Sequence, residues 1–232
     1  MEPLKPDTSY HIFNHANGFE NIFKENENFR YFLEKYSLYI SPIAETYAYC
    51  LLPNHFHLVV RMRKREVIET LILRKRYISN HLFAVEQNFS NLSFELGKVT
   101  GGEEVKIENT EIEKFLSKQF SNLFSSYTQS FNKVYKRRGS LFIKNFKHEA
   151  ILDKEYFLNA IVYTHRNPIH HGFCTQFTDW GYSSYSEILE QKSVIIELTK
   201  LIKVFDGYSK YIDFHHQYLN KFNQSTELEA PV

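Results

Sequence analysis

Residues 43–62, Ile-Ala-Glu-Thr-Tyr-Ala-Tyr-Cys-Leu-Leu-Pro-Asn-His-Phe-His-Leu-Val-Val-Arg-Met, constrain the fold of this chain more than any other stretch. The run is apolar at most positions and is broken once, by Pro53-Asn54. Two apolar strands joined by a short turn satisfy that pattern, so a tight hairpin is expected with strands over 43–51 and 55–62. A strand sends alternate side chains to one face. His55 and His57, just past the turn, therefore aim both imidazoles at one region. Such a pair either holds a divalent metal or lies on a half-buried strand that shows its rings to water.

Elsewhere, strand-like runs occur at 10–15 and 140–150, and helical spacing at 27–39, 66–85, 111–134 and 154–166. Strands and helices interspersed, with at least one hairpin, give an α+β fold rather than a parallel α/β sheet. The 232 residues suit one domain over 1–190 with an extension over 191–232. In that extension Ile195, Leu198, Leu201, Ile202 and Phe205 are spaced for burial on amphipathic helices, and 224–232 reads as a frayed end. Residues 89–110 are rich in turn formers and read as an inserted loop or small hairpin. Cys50 and Cys174 lack metal-ligand spacing, and Cys50, on an apolar strand, reads as a buried thiol. The amino terminus has no apolar signal core, and no apolar run reaches membrane-spanning length, so a soluble, cytoplasmic chain without membrane contact is expected.

A second chemical element lies at 153–173. Asp153 reads as an N-cap, and Phe157, Leu158, Ile161 and Val162 carry helical spacing. Pro168 places the expected helix end near Arg166 or Asn167. Tyr163 and Asn167, four apart, share one face. A phenol there is a potential nucleophile, and a carboxamide oxygen is a potential third metal ligand. His165 sits roughly 200° around the helix from Tyr163 and points elsewhere. His170 and His171 read as surface or phosphate-contacting groups. His11 and His15 share a strand face, but four residues apart they are too separated to chelate one ion.

A net charge of +1 carries no global nucleic-acid signature, so the question is local. Lys133, Lys136, Arg137, Arg138, Lys144 and Lys147 fall in a stretch without acids, interleaved with Tyr135, Phe142 and Phe146. Arg61, Arg63, Lys64 and Arg65 begin a second basic stretch that runs to Arg76 against only Glu66 and Glu69. Basic groups among aromatics suit a nucleic-acid strand, because charges hold phosphates while rings stack on unpaired bases. The same stretches also fit ordinary solvated faces.

Leu52-Pro-Asn-His-Phe-His57, followed by Tyr163-Thr-His-Arg-Asn-Pro168, resembles the single-tyrosine HUH transposases, and in particular the REP-associated tyrosine transposases. Tyr10-His-Ile-Phe-Asn-His15 with Gly18 and Ile22-Phe23 is similar to that family's opening strand and loop. Gly139-Ser-Leu-Phe-Ile-Lys-Asn-Phe-Lys147 and Asp179-Trp-Gly-Tyr-Ser-Ser-Tyr185 resemble its later strand and its tryptophan-serine-serine box. The likeness covers roughly 10–190.

It implies a ferredoxin-like antiparallel sheet with helices packed on one face, here with a helical C-terminal extension. It also implies a bacterial, nucleoid-associated, metal-dependent strand transferase. Tyr163 would be the nucleophile that forms a 5′-phosphotyrosine, and His55, His57 and Asn167 would hold magnesium or manganese. The expected partner is single-stranded or hairpin DNA, such as a repetitive palindromic element, contacted by the ten basic residues named above from Arg61 to Arg65 and from Lys133 to Lys147. Zinc suits this ligand set less well. Two other readings stay open: a domesticated module that binds nucleic acid without cutting, and a metal-dependent hydrolytic nuclease in which Tyr163 is structural. Monomer and homodimer are both compatible with the sequence. Because Tyr163 and Asn167 lie on one helix, any exchange between subunits would move them together.

Overall fold

The computed structural model describes residues 2–80 and 106–224. In chain order its main elements are β1 (Ser9–His15), α1 (Asn26–Tyr39), β2 (Ala44–Leu52), β3 (His55–Met62), α2 (Arg65–Asn80), α3 (Asn109–Val134), β4 (Lys147–Ile151), α4 (Lys154–His170), α5 (Ser184–Leu189), α6 (Leu198–Val204) and α7 (Tyr208–Gln224). The strands form one antiparallel sheet in the order β2-β3-β1-β4. The Pro53-Asn54 turn closes the expected hairpin, with Leu52 opposite His55. This is the expected α+β architecture with an antiparallel sheet, but the helices are not confined to one face: α1 and α3 pack on one side and α4 on the other.

Alternation along the strands gives the sheet two unlike faces. Ile12, Phe56, Leu58 and Val60 point to the face that α1 and α3 cover. Phe56 is fully buried there, with ring contacts to Phe32 of α1 and Phe124 of α3. At this face Tyr36 also shares a 2.7 Å hydroxyl bond with Thr46. The intervening residues, His11, Phe13 and His15 on β1 and His55 and His57 on β3, point the other way, where α4 lies. In the β1–β4 register Phe13 faces Lys147 and His11 faces Glu149, so both belong to this second face.

β2 reaches the correct phase through a bulge. Thr46 pairs with Val60 but Ala48 pairs with Val59, leaving Tyr47 as the extra residue. Beyond the bulge, Ala48 and Cys50 occupy the α4 face, opposite Val59 and His57. Both are small and fully buried, which lets α4 lie close over β2. Tyr47 itself packs edge-on against Phe157 of α4 at 5.0 Å. α4 sits mainly over the β2–β3 side of this polar face, so among the described residues the β1–β4 side is the less covered.

The extension is built into the same body. Leu51 donates to the Tyr182 carbonyl and Glu197 to the Thr46 carbonyl, each at 2.9 Å, so the outer edge of β2 is occupied. The Trp180 indole donates to the Leu51 carbonyl at 2.9 Å. Leu201, Phe205 and Tyr211 are buried, and His215 of α7 meets His165 on the reverse side of α4 at 2.9 Å. His165 also meets Ser184 at 2.8 Å, which ties helix, box and extension into one buried network. β4 ends the strand order on the opposite flank.

Several expectations change. α4 does not stop before Pro168 but runs to His170, and His171 caps it. A proline this late removes one donor without preventing the last turn. The carbonyls of Asn167 and Pro168 are taken by the amides of His171 and Phe173. The extended run expected over 140–150 is split. Phe142 bridges Ala16, Asn145 adopts a left-handed φ of 64°, and β4 begins only at Lys147. α3 starts at Asn109, inside the expected insertion. The rest of that insertion up to residue 105, helix 66–85 beyond residue 80, and the frayed end past residue 224 lie outside the described residues.

Candidate active site

The polar face of the sheet and one stripe of α4 enclose a cavity of about 680 Å³. Tyr156, Asn159, Tyr163, Asn167 and His170 recur at three- and four-residue steps and line it from the helix. His11, His15, His55, His57 and Glu149 line it from the sheet. The capping bond from Asp153 to the Tyr156 amide, 2.7 Å, fixes where the helix starts and hence the phase of the stripe.

The four residues singled out for chemistry converge. The half-buried Tyr163 ring stands edge-on to His57 at 5.6 Å and 89°. It stands equally edge-on to His11 at 5.7 Å and 83°. His55 and His57 lie 5.3 Å apart with perpendicular rings. One turn beyond Tyr163, Asn167 is buried and donates to the Tyr163 carbonyl at 2.9 Å. The extra helical turn matters here, because it keeps Asn167 on the stripe rather than in a loop.

Other neighbours join that sequence reasoning set aside. His11 Nε2 is 3.0 Å from His57 Nδ1. His15 stacks on His55 at 4.6 Å, and His171 meets His55 edge-on at 4.9 Å. His55 Nδ1 donates to Asn54 Oδ1 at 2.8 Å. Tyr156 is a second phenol on the stripe, but it donates to Glu149 at 3.0 Å. Burial, then Glu149, raises its pKa to about 12. The alternation His11, Phe13, His15 was visible in the sequence. Its meaning needed the β1–β3 register, which sets His15 opposite His55 and Phe13 opposite His57.

Burial dominates the electrostatics. It lowers His11 to about 4 against an opposing pull from Glu149, and it lowers His55 to about 3, helped by His15 and His171 and opposed by Asn167. His57 is held well below its ordinary value by burial and by His11 and His55. Three neutral imidazoles at neutral pH are the form that ligates a cation. Among the described residues no group of three or more His, Cys, Asp or Glu side chains has the arrangement of a metal site. His55, His57 and the Asn167 amide, which line the same cavity, are the residues that could hold a cation. Two imidazoles and an amide oxygen would be a sparse mixed set, better suited to magnesium or manganese than to a closed zinc site.

The basic residues divide. Lys147 lies on the cavity face, over the Phe13 ring at 5.8 Å, and Lys133, Lys136, Arg138 and Lys144 are exposed. Arg137 is engaged with Glu20, Asn132 and the Ser140 carbonyl. The other stretch is at the far end of β3, about 20 Å of strand from His55. There Arg61 pairs with Asp7 at 2.9 Å, Arg63 donates to the Ser41 carbonyl, Arg65 pairs with Glu69 at 2.7 Å, and Lys64 is exposed. That stretch is not part of the cavity.

No protein-family model matches the chain, and no curated protein does. A solved structure of a REP-associated tyrosine transposase bound to a REP hairpin is similar over 82% of this chain and 84% of its own. The TM-score is 0.51 at 14% identity, a likeness of fold.

Proposed function

We propose that this chain is a metal-dependent, single-tyrosine DNA strand transferase that cleaves and rejoins single-stranded or hairpin DNA. The observation that carries this reading is the placement of Tyr163 edge-on to His57, with Asn167 one turn away on the stripe that lines the same cavity. The hairpin-bound transposase of similar fold supports it.

A bound divalent cation, held by His55, His57 and Asn167, would withdraw charge from the scissile phosphate and orient it. Tyr163 supplies the attacking oxygen, and α4 fixes its line of approach. The new O–P bond forms as the bond to the 3′ sugar oxygen breaks, leaving a 5′-phosphotyrosine and, after proton uptake, a 3′-hydroxyl. The covalent link conserves the energy of the broken bond, so a 3′-hydroxyl from another strand reverses the step without a nucleotide cofactor. Lys147 and Phe13, side by side at the less covered flank, suit a phosphate and an unstacked base. Tyr156, the other phenol on the stripe, is bonded to Glu149, and Tyr163 is the one that stands edge-on to His57 and His11.

The test mixes purified protein with labelled single-stranded hairpin DNAs and manganese or magnesium. A protein–DNA adduct that survives denaturing electrophoresis is expected, and Tyr163→Phe removes it. Cleavage that persists in Tyr163→Phe without adduct would replace this reading with hydrolysis.

A further inference from the structure

We propose that His11 is a positioning residue: it accepts the Nδ1–H of His57 and so holds that ring in the tautomer whose Nε2 lone pair is left for the cavity. The inference rests on the role given to His57 above. Its basis is the 3.0 Å contact between His11 Nε2 and His57 Nδ1, made by two buried rings whose planes lie within 14° of parallel. A hydrogen bond between two ring nitrogens requires one to carry the proton and the other to be bare. If His57 carried its proton on Nε2, that nitrogen would have no lone pair to give a cation.

The neighbouring histidine shows which arrangement the site uses. His55 Nδ1 stands 2.8 Å from Asn54 Oδ1, an oxygen that only accepts. His55 is therefore protonated on Nδ1, and its Nε2 is bare. Applied to His57, the same arrangement makes His11 the acceptor. The two outer partners come from different places in the chain: Asn54 from the hairpin turn and His11 from the adjacent strand, two residues from Phe13, which faces His57. Outer partners of this kind fix ring orientation and typically contribute 10- to 100-fold in metal affinity. The alternative, His11 as a third ligand, is disfavoured because its nitrogen points at the His57 nitrogen rather than alongside it.

Two readouts test this on the full chain. The first is the His57 tautomer in metal-free protein, read from long-range nitrogen–proton NMR correlations of the imidazole. Protonation at Nδ1 is expected, and protonation at Nε2 overturns the inference whatever any variant does. The second is Mn²⁺ affinity, measured by titration without DNA. His11→Phe keeps a ring but offers no acceptor, and should weaken Mn²⁺ binding by about 10- to 100-fold. His11→Gln, whose amide oxygen falls near the Nε2 position, should recover most of it. Unchanged affinity in His11→Phe overturns the proposal. So does a loss in both variants equal to that of His57→Ala, which would make His11 a ligand. A wild-type protein with the expected tautomer but no Mn²⁺ binding would instead sink the strand-transferase reading and leave the tautomer assignment standing.

Discussion

His57 separates what this site binds from what it does. Most DNA affinity should come from phosphate and base contacts made elsewhere, so His57→Ala is expected to abolish adduct formation while hairpin affinity stays within a few-fold. Loss of all binding by a folded His57→Ala protein, in a gel-shift assay, would contradict that division. The buried histidines also set a pH dependence. In the unfolded chain each titrates near 6.5, whereas His11 is lowered to about 4 and His55 and His215 to about 3, chiefly by burial. Below about 6.5 the unfolded state binds more protons, so stability is greatest above that value and falls with pH until the folded values are passed. Within the window each such histidine steepens the loss by about 1.4 kcal/mol per pH unit. Urea midpoints should therefore drop clearly between pH 7.5 and 5.5, and a flat profile would show these rings are not buried as neutral groups. At this scale His55, His57, Tyr163 and Asn167 were legible because each pair is local: two apart on a strand, four apart on a helix. His11 was not, since its partner lies 46 positions away and only strand register joins them.

Strands and helices show a similar split between local and non-local information. The hairpin was readable from Pro53-Asn54, and α4 from Asp153 and its apolar spacing. Pro168 misled because it removes a single intrahelical donor, while the amides that follow it still find carbonyls and close the last turn. The bulge at Tyr47 was invisible because nothing in the apolar run 43–52 marks one residue as supernumerary. Its effect is large: it puts Ala48 and Cys50 beneath α4. Ala48→Leu should overpack that seam, cost about 1–3 kcal/mol in a urea melt, and reduce adduct yield more than DNA affinity by lifting α4. A variant with unchanged stability would mean that α4 does not rest on this strand. The basic stretch 61–65 is also separated from the cavity by position. It follows the histidine strand directly, yet the strand's own length carries it to the opposite end of the sheet.

The molecule as a whole does not divide where its sequence changes character. The break expected near residue 190 is crossed by main-chain bonds to β2 and by the His165–His215 contact behind α4. Removing 191–232 would expose the surfaces that Leu201, Phe205 and Tyr211 now cover, each worth about 1.5–3 kcal/mol when an apolar side chain is fully buried. Against a usual total of about 5–15 kcal/mol, a chain ending at residue 190 should be insoluble or melt at least ten degrees lower. A soluble truncate with the parent melting temperature would make the extension an appendage after all. Its grip on β2 also leaves the sheet able to grow on one flank only. A peptide, or a second copy, that joins by strand addition must do so along Lys147–Ile151, whose inward residues Lys147 and Glu149 border the mouth of the cavity. Such a guest would stand as a wall beside the doorway to His11, making assembly and substrate entry a single geometric question.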